Sequence, residues 1–262
     1  LENSLRFRSS ASAYLSRTPA TAGNRKTWTF SCLTKRGLLT GSQVIFSAAN
    51  SGNSQFVDVT INGNNVFEID ILDSNSTRTI RVSTAVLRDP SAWYHIVLVI
   101  DTTQATAADR IKLYVNNELL TTSAGTGTFP NQNADTQVNA TTGLHAIGRR
   151  QGAADRYYDA YLTEVNFVDG QALTPSDFGE SNEDTGVWQP KEYTGSYGTN
   201  GFYLPFTPTT QATGFNTVLY AGNGGTQSIS NVGFEPDLVW IKNRSFANSH
   251  QLVDSVRGAT KH

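Results

Sequence analysis

The feature that most constrains this chain is its division into short runs of β-branched and aromatic residues, each closed by Gly, Asn, Asp, Ser or Pro. The clearest runs are "NSLRFRSS", "AYLSRTP", "TWTFSCLTK", "SQVIFSAAN", "QFVDVTING", "VFEIDILDSN", "TRTIRVSTA", "WYHIVLVID", "RIKLYVNNELL", "GLHAIGRR" and "AYLTEVNFVDG". Runs of this length pleat into strands, and regular turn signals between them point to a sandwich or barrel. Helical periodicity is nearly absent. The exception is "TPSDFGES" after Leu173, where Thr174 can cap and Pro175 suits the first position of one short helical turn.

One run identifies the interior. In "WYHIVLVID" the alternating sets Trp93, His95, Val97, Val99 and Tyr94, Ile96, Leu98, Ile100 are both apolar at their centres. Both faces of this strand must therefore be covered, which makes it a central strand. In "RIKLYVNNELL", Ile111, Leu113 and Val115 share one face, and Asn116-Asn117 supplies a dipeptide that tolerates positive φ in a tight hairpin.

Charge excludes some functions. The 262 residues carry a net charge of −2 with Lys and Arg scattered, so no basic patch interleaved with aromatics marks a nucleic-acid surface. No apolar run approaches the roughly 20 residues that a membrane-spanning helix needs, and no signal-peptide pattern opens the chain, so membrane insertion is not expected. The single cysteine, Cys32, excludes an intrachain disulfide and reads as a small core residue. The chain opens at Leu1 and has no methionine, so a processed or partial product is expected.

After about residue 180 the texture changes. "ESNEDTGVWQPKEYTGSYGTNGFYLPFTPTT" mixes Gly, Pro and aromatics without a clean period. Rings this dense are rarely left in water, so Trp188, Tyr193, Tyr197, Phe202, Tyr203 and Phe206 are expected to pack on the domain or on a partner. Strands are expected to resume from Phe215 in "FNTVLYAGNGG", "TQSISNVG", "PDLVWIKNR" and "HQLVDSVRG", with "AGNGGT" as a hairpin turn. The expected organisation is a sandwich over residues 1–180, an aromatic wrapping segment or linker over 181–212, and the beginning of a second β-rich module over 213–262.

The blocks "NSLRFRSSASAYLSRTP", "AGNRKTWTFSCLTKRG", "RDPSAWYHIVLVIDTTQATAADRIKLYVNNELL", "AIGRR", "YLTEVNFVDGQALTPSDFGE" and "TGVWQPKEYTGSYGTNGFYLPF" together resemble laminin-G-like, concanavalin-A-like jelly-roll domains of tail-fibre and other virion proteins of marine bacteriophages. The resemblance extends over nearly all of residues 4–206. The later "GFEPDLVWIKNRS" and "HQLVDSVRGATK" look like the opening of a further module that often follows. One departure is "SCLTK", where such domains more usually carry a "SFWVK"-like strand; Cys32 and Thr34 are smaller. The resemblance implies an all-β fold, an antiparallel two-sheet β-sandwich with one concave sheet. It does not imply one activity, because jelly rolls host lectins, hydrolases and assembly domains.

Three carboxylates raise the question of hydrolysis. Glu68 and Asp70 in "VFEIDILDSN" lie two apart on a strand and share a face, as a retaining glycosidase requires of its acid and nucleophile. "EIDILD" is similar to the bulged Glu-x-Asp-x-x-Glu pattern of jelly-roll endoglucanases, with the last Glu shortened to Asp73. Asp73 falls on the opposite face unless a bulge rephases the strand. The neighbouring "INGNNV" and "SNSTRTIRVS" offer none of the Trp and Tyr that line a glucanase cleft. The carboxylates then read as a solvent-facing row, with Arg78 and Arg81 as cross-strand partners, and no catalytic residue is assigned.

The remaining candidates are polar clusters. His95, His145, His250 and His262 show no ligand spacing, and His95 reads as a satisfied core residue. Asp109, Asp155 and Asp159 leave a rim calcium ion open, with no ligand set assigned; no other cofactor is expected. The stretch "GRRQGAADRYYDAY" puts Arg149, Arg150, Asp155, Arg156, Tyr157 and Tyr158 on a loop between two strands, which is the chemistry of glycan or protein recognition. The alternative is an Arg/Asp cluster that fastens the loop to its own sandwich. The expected function is a non-enzymatic phage virion protein, part of a tail fibre or other appendage on the outer surface of the particle. Its lectin-like domain is expected to adhere to host-surface glycan. The competing reading is assembly, with docking on other virion proteins and on copies of itself as a homo-oligomer; the remote one is an endoglucanase.

Overall fold

In the computed structural model the described residues are 3–127, 129–207, 217–229, 232, 235–247 and 250–255. They form two compact units, residues 1–207 and 208–262. In chain order the strands are β1 (Leu5–Phe7), β2 (Leu15–Arg17), β3 (Thr27–Arg36), β4 (Gln43–Asn50), β5 (Phe56–Ile61), β6 (Val66–Leu72), β7 (Arg78–Val86), β8 (Tyr94–Asp101), β9 (Ile111–Val115), β10 (Glu118–Leu119), β11 (Thr122–Thr126), β12 (Gly143–Ile147), β13 (Ala160–Asp169), β14 (Gly179–Ser181), β15 (Trp188–Pro190), β16 (Phe202–Leu204), β17 (Leu238–Ile241) and β18 (Gln251–Asp254).

The first unit is the expected all-β sandwich. Sheet I runs β1-β13-β3-β8-β9-β10, with β16 also paired to β13, and sheet II runs β11-β7-β6-β5-β4-β12-β2. Every pairing is antiparallel. The run "WYHIVLVID" supplies β8, which is central and buried from His95 to Asp101. Asn116 and Asn117 turn β9 into β10 with φ of 48° and 70°, as the dipeptide foretold.

The inward faces meet in one core. Trp28, Phe30, Cys32, Ile96, Leu98 and Phe167 of sheet I pack against Phe46, Val57, Val59, Phe67, Ile69 and Ile71 of sheet II. Phe30 and Phe46 stack with centroids 5.0 Å apart, and Trp28 donates its indole N–H to Thr136 Oγ1 at 3.1 Å. The small residues noted at "SCLTK" are accommodated: Cys32 lies in the core, and the Thr34 hydroxyl bonds Tyr158 Oη at 2.8 Å. Each large side chain removed from water contributes roughly 1.5–3 kcal/mol before entropy is charged against it.

Some elements differ from expectation. β11 was not foreseen, because "TSAGT" has no apolar alternation; it pairs with the edge of β7, where Gly125 lets the backbone lie against Ile80 and Val82. The helical turn Pro175–Asp177 has Thr174 at the anticipated cap position, its backbone N–H donating to Asp177 Oδ2 at 2.7 Å; two further turns, Ser9–Ala11 and Ala107–Arg110, were not expected. Of the strand expected at "FNTVLYAGNGG", Phe215 and Asn216 lie outside the described residues, and 217–225 contain no strand. The described part of "TQSISNVG" is likewise not strand, so "AGNGGT" bends at Gly224 and Gly225 without joining a hairpin. In the second unit, β17 and β18 form a hairpin with Trp240 opposite Leu252.

Candidate functional site

The two sheets present very different outer faces. On sheet I the residues that alternate away from the core include Val97, Val99 and Val168, and the chain covers them itself. Phe178 and Leu173, with Tyr114, Tyr193 and Tyr197, close over these valines. Trp188 donates its indole N–H to His95 Nδ1 at 2.8 Å, with the rings stacked at 5.9 Å. That bond leaves the His95 proton on Nε2, 2.9 Å from Ser31 Oγ, so the imidazole is neutral; burial depresses its pKa to about 4. Tyr197 donates to Asn166 Oδ1 at 2.8 Å, Tyr203 to Glu164 Oε2 at 2.5 Å, and Phe202 packs on Phe167. The aromatic segment therefore packs on the sandwich, and His95 is the satisfied core residue its strand position suggested.

Sheet II keeps polar groups outward. Val57, Val59, Ile69 and Ile71 enter the core, so the alternating Asp58, Thr60, Glu68 and Asp70 point the other way. The four-residue turn between β5 and β6 sets the register, which puts Asp58 directly opposite Asp70 and Thr60 opposite Glu68. Asp70 receives two hydrogen bonds from Arg78, at 3.1 and 2.7 Å. Asp58 accepts from Ser47 Oγ at 2.7 Å and is only 6% exposed. Burial, against the Ser47 bond and with Asp70 repulsion, raises the Asp58 pKa to about 6; Arg150 and Arg156 pull the other way.

This arrangement answers the hydrolase question in part. Arg78 is the partner of Asp70 that the sequence suggested, but Arg81 is not. Its register partner is Ile69, so it turns to the opposite face, where it bonds Thr122 and lies 4.2 Å over the Phe129 ring. Asp73 lies just past β6, and its Oδ1 accepts the backbone N–H groups of Asn75 and Thr77, shaping the turn into β7. Glu68 accepts from Asn62 Nδ2 at 3.2 Å. The three carboxylates of "EIDILD" thus serve three separate local structures.

The loop after β12 runs along β4. Gly148 N–H bonds Ile45 O, Gln151 N–H bonds Ser47 Oγ at 2.9 Å, and Val44 N–H bonds Arg156 O. Arg150 grips Asp155 through two bonds of 2.7 and 2.6 Å. Arg149 lies 3.7 Å over the Tyr14 ring and donates to Gln151 Oε1 at 3.0 Å. Arg156 is exposed and Tyr157 half-buried against Tyr14. Tyr158 corrects the expectation of an exposed ring: it is fully buried beside Ala160 and Leu162, because the inward alternation of β13 already begins there.

Between this loop, the end of β4 and the start of β12 lies a cavity of about 330 Å³ lined by Thr18, Asn50, Ser51, Thr142, Gln151 and Gly152 among others. Gly143 forms part of its wall, where a Cβ would sit 2.3 Å from the Ala49 carbonyl oxygen. A relay links wall to sheet: Gln151 N–H to Ser47 Oγ, and Ser47 to Asp58. A second cavity of about 270 Å³ between the sheets is apolar, with Phe46, Ile147, Phe167 and Phe202 in its wall. Neutral amides and hydroxyls make the first the better match to a polyhydroxylated ligand.

Asp58, Ser47 and Gln151 were missed as site residues. The signal was present: "FVDVTINGNNVFEIDI" reads as a hairpin, and counting outward from its turn sets Asp58 against Asp70. The aspartates that left calcium open are not gathered. Asp109 pairs with Lys112, Asp155 with Arg150 and Asp159 with Arg6. Among the described residues no group of three or more His, Cys, Asp or Glu side chains is placed to hold a metal ion.

Comparison with known proteins bears on the fold. A family model described as the concanavalin A-like lectin/glucanases superfamily matches residues 9–177, and a domain of unknown function (DUF7483) matches residues 210–262. No curated protein matches the chain. The chain is similar to a heptameric SAP-like pentraxin from Limulus polyphemus, with 17% identity over 62% of this chain and 71% of that one and a TM-score of 0.43. It is similar to domains LG4-5 of the mouse laminin alpha1 chain at 12% identity, with 66% of this chain covered and a TM-score of 0.45; the match spans 46% of the laminin chain. A Ruminococcus gnavus IT-sialidase CBM40 bound to α2,3 sialyllactose matches at 15% identity, over 62% of this chain and 95% of that one, with a TM-score of 0.43.

Proposed function

The chain belongs to the concanavalin A-like lectin/glucanases superfamily, matched over residues 9–177, and from that membership we propose that it is a non-catalytic glycan-binding module. The observation that carries the reading is the uncharged cavity beside Gln151, on the side of the sandwich that the chain does not cover with its own aromatic segment. Sugar hydroxyls both donate and accept, and a wall of Thr, Ser, Asn and Gln offers both roles without a charge to neutralise. Against catalysis stand the arrested carboxylates: Asp70 is clamped by Arg78, and Asp58 is bonded to Ser47 and almost wholly buried. The blocks that resemble phage virion domains support a place on the outside of a particle, in a tail fibre or other appendage, with adhesion to host-surface glycan as the role.

One observation favours the assembly reading. The β17–β18 hairpin of the second unit exposes Leu238, Trp240 and Leu252, with Trp240 at 67%. Apolar surface of this kind marks contact with other protein, such as virion partners or copies of the same chain. A glycan array probed with the whole chain, calcium present, followed by analysis of the retained sugars, separates the readings. Specific retention of uncleaved sugar is the expected result. Cleavage products would replace binding with hydrolysis, and silence across the array would leave assembly as the function.

A further inference from the structure

Resting on the glycan-binding reading, we propose that the cavity takes an uncharged sugar residue, held by hydrogen bonds without ring stacking. The chemistry of the wall selects this class. The hydroxyls of Thr18 and Ser51 line the cavity, are exposed, and have no hydrogen-bond partner in the protein among the described residues. Thr142 lines it too, at the far end of a 3.4 Å contact from Gln137 Nε2. Gln151 is oriented: its Oε1 is occupied by Arg149 and its backbone N–H by Ser47, which leaves the amide NH₂ as the group free to donate.

Charge around the cavity disfavours an acidic sugar. No Arg or Lys lines it. Arg149 is engaged by Gln151 and the Tyr14 ring, and Arg150 is held at both of its bonding nitrogens by Asp155. Arg156 is exposed but its charge acts on Asp58. A uronate or sialate would therefore bring a carboxylate to a wall with no cation to meet it. One hydrogen bond behind that wall stand Ser47 and then Asp58, opposite Asp70. No aromatic ring lines the cavity, so the stacking contribution usual in sugar sites is missing. A single site of this kind is weak, and useful retention needs several copies acting together.

The test uses the full chain on a surface that displays sugars at high density. Methyl glucoside, methyl mannoside, methyl galactoside and N-acetylglucosamine are compared with methyl glucuronide and N-acetylneuraminic acid at low and physiological salt. At least one neutral sugar should be retained about tenfold or more better than the acidic ones, the scale of one carboxylate left without a partner. Gln151→Ala, at a half-buried position, and Thr142→Val, at an exposed one, should each reduce that retention several-fold without moving the melting temperature. Gln151→Arg should shift preference toward the acidic sugars. Equal or better retention of acidic sugars by the unaltered chain overturns the assignment of class. Neutral retention that is indifferent to all three variants overturns the assignment of place, while the glycan reading survives. If no sugar of either class is retained, the glycan reading itself fails, and this inference with it.

Discussion

Sheets I and II are built from strands of similar length and share one core, yet their outer faces have opposite fates. The face of sheet I is apolar at Val97, Val99 and Val168, and the segment from Leu173 to Tyr197 covers it. The face of sheet II carries Ser47, Asp58, Thr60, Glu68 and Asp70: Ser47 links Asp58 to the loop that follows β12, Asp70 is bonded by Arg78 and Glu68 by Asn62. An apolar outer face must find a cover, and over Val97, Val99 and Val168 the chain supplies it from its own aromatic segment. The outer face of sheet II is buried at Ser47, Asp58, Thr60 and Asp70, but what lies against Ser47 is the polar loop after β12 rather than aromatic rings. The difference teaches where to look for binding: at the side of the sandwich whose cover is a polar loop.

The largest expected effect comes from stripping the covered face. Ending the chain at residue 180 removes Trp188, Tyr193, Tyr197 and β16, the strand paired to β13. The truncated sandwich should aggregate and bind a hydrophobic dye; a monodisperse, soluble product would show that the segment is only a tether. Phe178→Ala, a milder version, deletes a ring that is 2% exposed and should lower unfolding free energy in denaturant by about 3–5 kcal/mol.

Acid should act on the two faces in opposite directions. His95, under Trp188, has a pKa depressed by burial to about 4 against about 6.5 unfolded. The unfolded chain therefore takes up the proton first, and stability falls as pH drops from about 6.5 to about 4, by roughly 3 kcal/mol. Asp58 is raised to about 6 against about 3.9 unfolded, so the native state binds the proton first. Its contribution is present below about pH 4 and is lost as pH rises through about 6, again by roughly 3 kcal/mol. Denaturation midpoints measured from pH 4 to 7 should show the His95→Gln variant losing less stability in acid than the parent. Asp58→Asn should lose more, because the compensating group is gone. Identical profiles for the two variants would dissolve the distinction between the faces.

The smallest effects belong to exposed charge on sheet II. Arg78 is more than half exposed, so Arg78→Ala should cost at most about 1 kcal/mol despite its two bonds to Asp70. Glu68→Gln combined with Asp70→Asn should leave sugar retention unchanged; a loss of carbohydrate activity in that double variant would restore the hydrolytic reading of "EIDILD".

Much of this contrast was legible in the sequence. Both-faced apolarity in "WYHIVLVID" required a cover for sheet I, and the rings of "VWQPKEYTGSYGTNGFYLPF" supplied one, since period-2 patterning reports burial directly. The family match and the sequence patterning agree on the sandwich. The polar face was harder to read. Asp58 acquires its raised pKa only from being set against Asp70 across a hairpin and beneath Ser47, which is a matter of register between strands rather than composition within one. The cavity joins Thr18, Asn50, Thr142 and Gln151, four residues from four separated segments, none of which carries a motif. Tyr158 failed as a binding residue for a related reason: its neighbour Tyr157 stays half exposed, and only the strand phase tells the two rings apart.

The measurement that bears most directly on the cavity beside Gln151 is a crystal structure of the full chain grown with the neutral sugar that it retains best. The expected result is a sugar residue seated among Thr18, Ser51, Thr142 and Gln151, with its glycosidic bond intact and the Gln151 NH₂ within hydrogen-bond distance. A sugar seated instead on the outer face of sheet I, with the aromatic segment displaced, would contradict the division of labour between the two faces.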